Sequence, residues 1–152
     1  MGLGDFVHTK QSVPYLLYRK ATAGYAPVGG DPVYFVKTTD DIQLATASTD
    51  DGPVYILSNF THVIDGVTYY GVAIEGDIVA LAGGAINVGK KVIVGASKKF
   101  TELAELATPT ASGNNDAIYK SPGIYVGLES DNQYAQSEAA DTNLIVIHMG
   151  GN

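Results

Sequence analysis

Cysteine and long apolar runs are absent from this sequence, and charged residues are scarce. Cysteine is absent, which excludes disulfide bonds, thiolate metal sites and cysteine nucleophiles. Only 16% of the residues are charged, against about 25% in an average globular protein. No window approaches about 18 consecutive apolar residues, so no membrane-spanning helix is predicted. Met1–Lys10 also lacks the basic and apolar pattern of a secretory signal peptide.

The few charges are mostly acidic and unevenly distributed. The formal net charge of −7 argues against nucleic-acid binding, which needs clustered Lys and Arg. Residues 1–27 hold three basic residues and one acidic residue, whereas the remainder holds six basic and fifteen acidic. This asymmetry predicts an N-terminal arm over residues 1–27 and a β-rich body over residues 28–152. A surface so low in charge suits a domain that packs against copies of itself or a partner.

Runs of β-branched residues separated by glycine dominate the body. Gly71–Gly95 is interpreted as strand, turn, strand, glycine-rich corner and strand, with Gly76-Asp77 as the turn. Asp65-Gly66 is a strong hairpin signal. Ser97–Ala107 fits a helix and its part Lys99–Leu103 fits a strand, and the sequence does not separate the two. Other strands are predicted at Pro32–Val36, Ile42–Ala47, Val54–Leu57, His62–Ile64, Val67–Ile74, Ile124–Leu128 and Leu144–Ile147.

A weak internal repeat accompanies these strands. Residues 30–35 align with residues 89–94 at an offset of 59, and residues 72–77 align with residues 126–131 at an offset of 54. Two copies of one β unit, closing as a small barrel or sandwich, would explain both matches. Chance similarity between strands rich in Gly and Val is the alternative. The sequence therefore predicts a mainly β fold of short strands with at most one or two short helices.

Motifs that could carry chemistry are incomplete. Gly84–Lys90 matches the glycine and lysine spacing of a P-loop, but Lys91 stands where the motif needs Ser or Thr, and Lys91–Val94 looks like a strand. The pairs Glu75/Asp77 and Glu129/Asp131 are interpreted as solvated turns.

Histidines do not provide a site either. None of His8, His62 and His148 lies at metal-ligand spacing from another, and a strand end is the expected place of His148. No catalytic residue, metal site or cofactor is predicted, and an enzyme is not expected.

The N-terminal segment contains one apolar, aromatic run, Val13–Tyr18. Because Pro14 lacks an N–H, this run is an edge or isolated strand. Two alternatives stay open. The run is either the first strand of the body, or an arm that adds a strand to an exposed sheet edge on another protein.

Four short sequence segments together resemble a known family: Gly30–Tyr34 (GDPVY), Tyr70–Gly76 (YGVAIEG), Ala85–Val94 and Gly127–Glu129. They are similar to strands of the small head-decoration (cement, capsid-stabilising) proteins of tailed bacteriophages, including the lambda-type group. The resemblance covers about residues 28–148. The chain departs from it in the loop Thr108–Lys120 and in the long segment before Gly29.

The resemblance implies a β-tulip-like domain that forms a homotrimer on the outer surface of a capsid, in the virion and, during assembly, in the host cytoplasm. It implies the major capsid protein as partner, an arm that adds a strand to that protein, and stabilisation of the expanded head. The candidate capsid-binding residues are those of the apolar run and the two basic residues after it: Val13, Tyr15, Leu16, Leu17, Tyr18, Arg19 and Lys20. Arg19 and Lys20 are expected to meet an acidic coat surface.

A second class of function is a carbohydrate-binding or adhesin module on a phage fibre. The chain has ten tyrosines, and the pair Tyr69-Tyr70 could stack on sugar rings. Buried or interface tyrosines explain the same residues.

Overall fold

A computed structural model of the chain describes residues 2–7, 14–46, 52–103, 120–130 and 133–150. Within them the regular structure is β, in agreement with the mainly β fold expected from the sequence. No helix among the described residues is long and apolar enough to cross a membrane. The strands are β1 Tyr15–Arg19, β2 Pro32–Phe35, β3 Ile42–Leu44, β4 Tyr55–Ile64, β5 Val67–Leu81, β6 Val92–Val94, β7 Phe100–Glu102, β8 Gly123–Ser130, β9 Gln133–Ala135 and β10 Leu144–Met149.

β5 is the longest strand and both of its edges are occupied along most of its length. One edge pairs with β4 and then with residues 4–7, and the other pairs with β1 and then with β10. The predicted turn at Gly76-Asp77 is therefore wrong, because the strand β5 continues without interruption through both residues. Gly76 instead adopts φ +121°, a conformation that glycine takes without strain inside a kinked strand.

β4 and β5 form the predicted hairpin at Asp65-Gly66. Both turn residues have positive φ, +50° and +77°, as a two-residue primed turn requires. The loop expected between Leu57 and His62 is absent, since β4 is one strand whose pairing with β5 shifts register between Leu57 and Thr61. The undecided segment after Ser97 contains the strand β7, and its residues 104–107 lie outside the described ranges.

The described N-terminal residues belong to the body, which corrects the separation of residues 1–27 as an arm. Phe6 and Val7 are buried, and β1 pairs antiparallel with β5 of the same chain. The sequence left two alternatives open for the apolar run Val13–Tyr18. In the structure its residues Tyr15–Tyr18 belong to β1, which is the first strand of the body. The burial of apolar side chains and the pairing of backbone groups hold these residues in place.

β1 to the first part of β5 form a closed unit, termed the first unit (residues 14–75). The strand pairs run β1–β5–β4–β2–β3. A parallel bridge between Ala21 and Ile42 joins β3 to the chain that leaves β1, which completes the ring. Val33, Ile42, Leu57 and Val72 form its buried core.

The remaining strands form a second closed unit (residues 76–149). Its order is β5–β10–β8–β6–β7, in which a bridge between Lys91 and Ile124 joins β6 to β8. A parallel bridge between Ala82 and Phe100 completes this ring. The two units thus share the same strand order and the same strand directions. The second half of β5 corresponds to β1, β10 to the first half of β5, β8 to β4, β6 to β2, and β7 to β3.

Hydrogen bonds confirm that the two units are repeats. The Gly30 N–H donates to Leu57 O and the Leu57 N–H to Asp31 O, just as the Gly89 N–H donates to Tyr125 O and the Tyr125 N–H to Lys90 O. The φ values of Gly30 and Gly89 are +90° and +89°. The offset of 59 between residues 30–35 and 89–94 is therefore correct.

The second sequence match is wrong. The pairs Leu17–Val72 and Ile78–Ile147 occupy equivalent positions, so residue 72 corresponds to residue 147 and not to residue 126. Equivalent first strands are offset by 61 residues, as Ala21 and Ala82 show.

Candidate interaction surface

Two buried carboxylates are the most conspicuous polar groups in the described structure, and both have structural partners. Asp77 Oδ1 lies 2.6 Å from His148 Nδ1, which joins β5 to β10 across the strand pair. Asp77 is 3% exposed, so its expected place in a solvated turn was wrong. His148 lies near the end of β10, as predicted.

Asp31 forms the second buried group, at the start of β2. Its Oδ2 accepts a hydrogen bond from the Tyr25 hydroxyl at 2.7 Å and one from the Val28 N–H at 3.1 Å. Lys98 Nζ, on the turn between β6 and β7, lies 3.6 Å from Oδ1. This carboxylate ties the N-terminal connection and the second unit to the first, as the hydrogen bonding of a buried polar group requires.

The P-loop-like segment and the acidic and histidine residues singled out in the sequence do not meet at one place among the described residues. The P-loop-like segment leads into Lys91 and the strand β6, so the helix N-terminus that binds phosphate in that motif is missing here. Among the described residues, no three or more His, Cys, Asp or Glu side chains form a group that could hold a metal ion. Two exposed features of the described residues remain to be considered.

One such feature is the outer edge of β1, which carries most of the predicted capsid-binding residues. The equivalent edge in the second unit, at Asp77 and Val79, is covered by the chain's own N-terminal segment. Gly4 N–H donates to Val79 O and Val79 N–H to Asp5 O, both at 2.9 Å. Val7 N–H donates to Asp77 O at 2.8 Å.

The corresponding positions in the first unit, 61 residues earlier, are Leu16 and Tyr18. Within the described residues, no strand pairs with this side of β1. The Gly71 carbonyl, opposite Tyr18, turns away from β1 and accepts the Ser58 hydroxyl at 2.6 Å. In such a pair the backbone groups of Tyr18 also point away, toward the open edge. Among the described residues, the repeat therefore has one strand position covered and its equivalent uncovered.

The basic residues beside this edge make contacts within the chain. Arg19 Nη1 donates to the Tyr18 carbonyl at 2.9 Å, and its Nε lies 3.1 Å from Asp40 Oδ2. A charged side chain folded over an edge carbonyl protects that edge from unintended pairing. Lys20 is exposed at the end of β1, and Val13 lies outside the described residues.

A second exposed feature is the end of the β4–β5 hairpin, which the sequence analysis did not identify. Its apolar side chains remain in solvent: Phe60 is 53% exposed, Val63 67%, Ile64 57% and Val67 40%. Val63 and Ile64 are neighbours on one strand, so they point to opposite faces, and both faces of the hairpin end are uncovered. The sequence signal was the apolar pair directly before Asp65-Gly66, where an alternating pattern would place a polar residue.

Comparisons with protein families and with curated proteins found no match for this chain. The described residues thus form a β protein with an uncovered strand edge at β1 and an exposed apolar hairpin end.

Proposed function

We propose that this chain is a structural virion protein that binds the outer surface of a phage capsid as a homotrimer and stabilises the expanded head. The observation that carries the proposal is the uncovered edge of β1, formed by Tyr15, Leu16, Leu17 and Tyr18. An exposed sheet edge binds an extended segment of a partner through backbone hydrogen bonds. The family resemblance supplies the major capsid protein as that partner.

The mode of contact differs from a detachable arm. An arm would have to break its pairing with β5 before it could join a sheet in the coat protein, since the inner edge of β1 is occupied. Accepting a coat segment at the outer edge keeps that pairing. Of the contacts made by the described residues at this edge, the one between the Arg19 guanidinium and the Tyr18 carbonyl must be exchanged.

Stabilisation of the head follows from linkage. A protein that binds the expanded lattice and not its precursor lowers the free energy of the expanded form. At a free concentration one hundred times the dissociation constant, each occupied site contributes about 2.7 kcal/mol. Many such sites on one head strengthen it without any catalytic step.

Two substitutions at Tyr18 test the edge. Tyr18→Pro removes an N–H that points away from β5, and Tyr18→Val keeps that N–H and prefers strand geometry. Both lose the same aromatic side chain, so they form a matched pair. We expect Tyr18→Val to bind undecorated expanded heads of the encoding phage in a sedimentation assay, and Tyr18→Pro to lose at least tenfold in affinity.

The control is the thermal unfolding of each variant alone. If Tyr18→Pro remains folded and binds heads as well as Tyr18→Val, the edge does not carry the contact. If the unaltered protein does not bind expanded heads at all, the proposed function itself is wrong. Specific binding of the isolated protein on a glycan array would favour the carbohydrate-binding alternative.

A further inference from the structure

The exposed hairpin end and a pocket lined by residues 44–46 and 95–98 suggest how copies of this chain contact each other. We infer that the hairpin end (Val63, Ile64 and Val67) of one copy inserts into the pocket between the two units of the next copy. The inference takes only its number of copies, three, from the proposed function.

The hairpin end needs a partner on physical grounds. Residues 59–67 are exposed on β4, the turn and the start of β5. A two-stranded hairpin without a packed face is at best marginally stable in water. A large contiguous apolar patch on a protein surface is typical of a contact site. Its regular pairing from Thr61–Tyr70 to Ile64–Val67 is nevertheless maintained, so the hairpin is a preformed projection.

The pocket is of suitable size and polarity. It has a volume of about 490 Å³ and lies between the end of β3 and the turn that joins β6 to β7. Leu44, Ala45 and Ala96 contribute to the apolar walls of the pocket, and Lys98 is also one of its lining residues. It is lined by residues of both units.

Charge supports a second copy as the occupant. The turn at the hairpin end carries Asp65, which is exposed. The Lys98 side chain at the pocket is 43% exposed, although it also lies near the buried Asp31. An ammonium group has three donors, so Lys98 can contact a second carboxylate. The protein is acidic overall, and a basic group beside an apolar pocket therefore selects a partner with an acidic tip, such as this hairpin.

The geometry of the contact determines the kind of assembly. The hairpin and the pocket are different surfaces, so the contact is head-to-tail. Such a contact gives a closed ring when the rotation between neighbouring copies closes after a whole number of copies, and an open filament when it does not. The trimer of the proposed function requires the closed ring. Three copies in a ring satisfy all three hairpins and all three pockets. No surface of this type is left over for further growth.

Disulfide cross-linking tests this contact, and the absence of native cysteine makes it specific. Ile64→Cys is mixed with Ala96→Cys at the pocket, or with the control Thr38→Cys at the equivalent turn of the first unit. All three positions are exposed. Under mild oxidation, we expect at least ten times more linked dimer with Ala96→Cys than with Thr38→Cys. The double variant Ile64→Cys/Ala96→Cys should give a covalent species of three chains.

Light scattering without capsids provides the second measurement. We expect the unaltered protein to have three times the 15.9 kDa mass of one chain, and Ile64→Asp to have the mass of one. Equal linkage with both cysteine partners, linkage of Ile64→Cys to itself, or a monomeric unaltered protein would each overturn the inference. A trimer that cross-links as expected but does not bind heads leaves the contact in place and refutes the proposed function only.

Discussion

Replacing Phe6 by alanine tests whether the N-terminal segment is part of the folded body. Phe6 is 4% exposed and its ring contacts the strand β5 where Gly76 leaves room for it. A β-carbon added at Gly76 would lie 3.0 Å from Phe6 Cε1, so the fit is close. The centroid of the Phe60 ring lies 6.2 Å from the centroid of the Phe6 ring.

The expected magnitude follows from burial. Truncating a buried phenylalanine to alanine costs about 3–5 kcal/mol, because apolar contacts are lost and a cavity remains. A domain of this kind has about 5–15 kcal/mol of stability in total. Phe6→Ala should therefore remove about a fifth or more of the free energy of unfolding. On a mobile arm, the same substitution would change it by less than about 0.5 kcal/mol.

Urea unfolding followed by tyrosine fluorescence or circular dichroism measures the difference. With a typical slope, the midpoint should fall by roughly 2 M urea. Val63→Ala is the control, since Val63 is 67% exposed and should leave the midpoint nearly unchanged. A change below about 1 kcal/mol for Phe6→Ala would refute the packing of residues 2–7 on β5 and restore the separate arm.

Two further predictions concern the repeat and the buried carboxylate. Gly30→Ala should destabilise more than Gly89→Ala in the same urea assay: both have φ near +90°, but the new β-carbon meets Leu3 Cβ at 2.9 Å only at Gly30. Equal effects would show that Leu3 does not pack there. Burial, and then the hydrogen bond to Asp31, raise the pKa of Tyr25 above its usual value near 10. The unfolded chain therefore loses this proton first, and stability should fall as pH rises past about 10. Tyr25→Phe should be less stable at pH 7 by about 1–3 kcal/mol and less sensitive to alkaline pH, and an unchanged alkaline slope would contradict this assignment.

The candidate surfaces were predictable only in part. The apolar run before Arg19 was identified as a contact candidate because Pro14 marks an edge strand. Its pairing partner was not predictable, since β1 pairs with residues 70–75, more than fifty positions later in the chain. The hairpin end was overlooked because Val63, Ile64 and Val67 resemble ordinary strand residues until the fold shows that nothing covers them.

Local sequence patterns determined the β class, the turn at Asp65-Gly66 and the repeat at an offset of 59. Each depends on backbone preferences or on residues close in sequence, which a linear pattern records. The tertiary structure alone decided that Gly76 lies inside one long strand and that Asp77 meets His148 across 71 positions. It also decided that, within the described parts of the chain, only one of two equivalent strand edges is covered. These outcomes depend on which distant segments pack together, and a glycine or an aspartate has the same local preferences in a turn as in a buried strand.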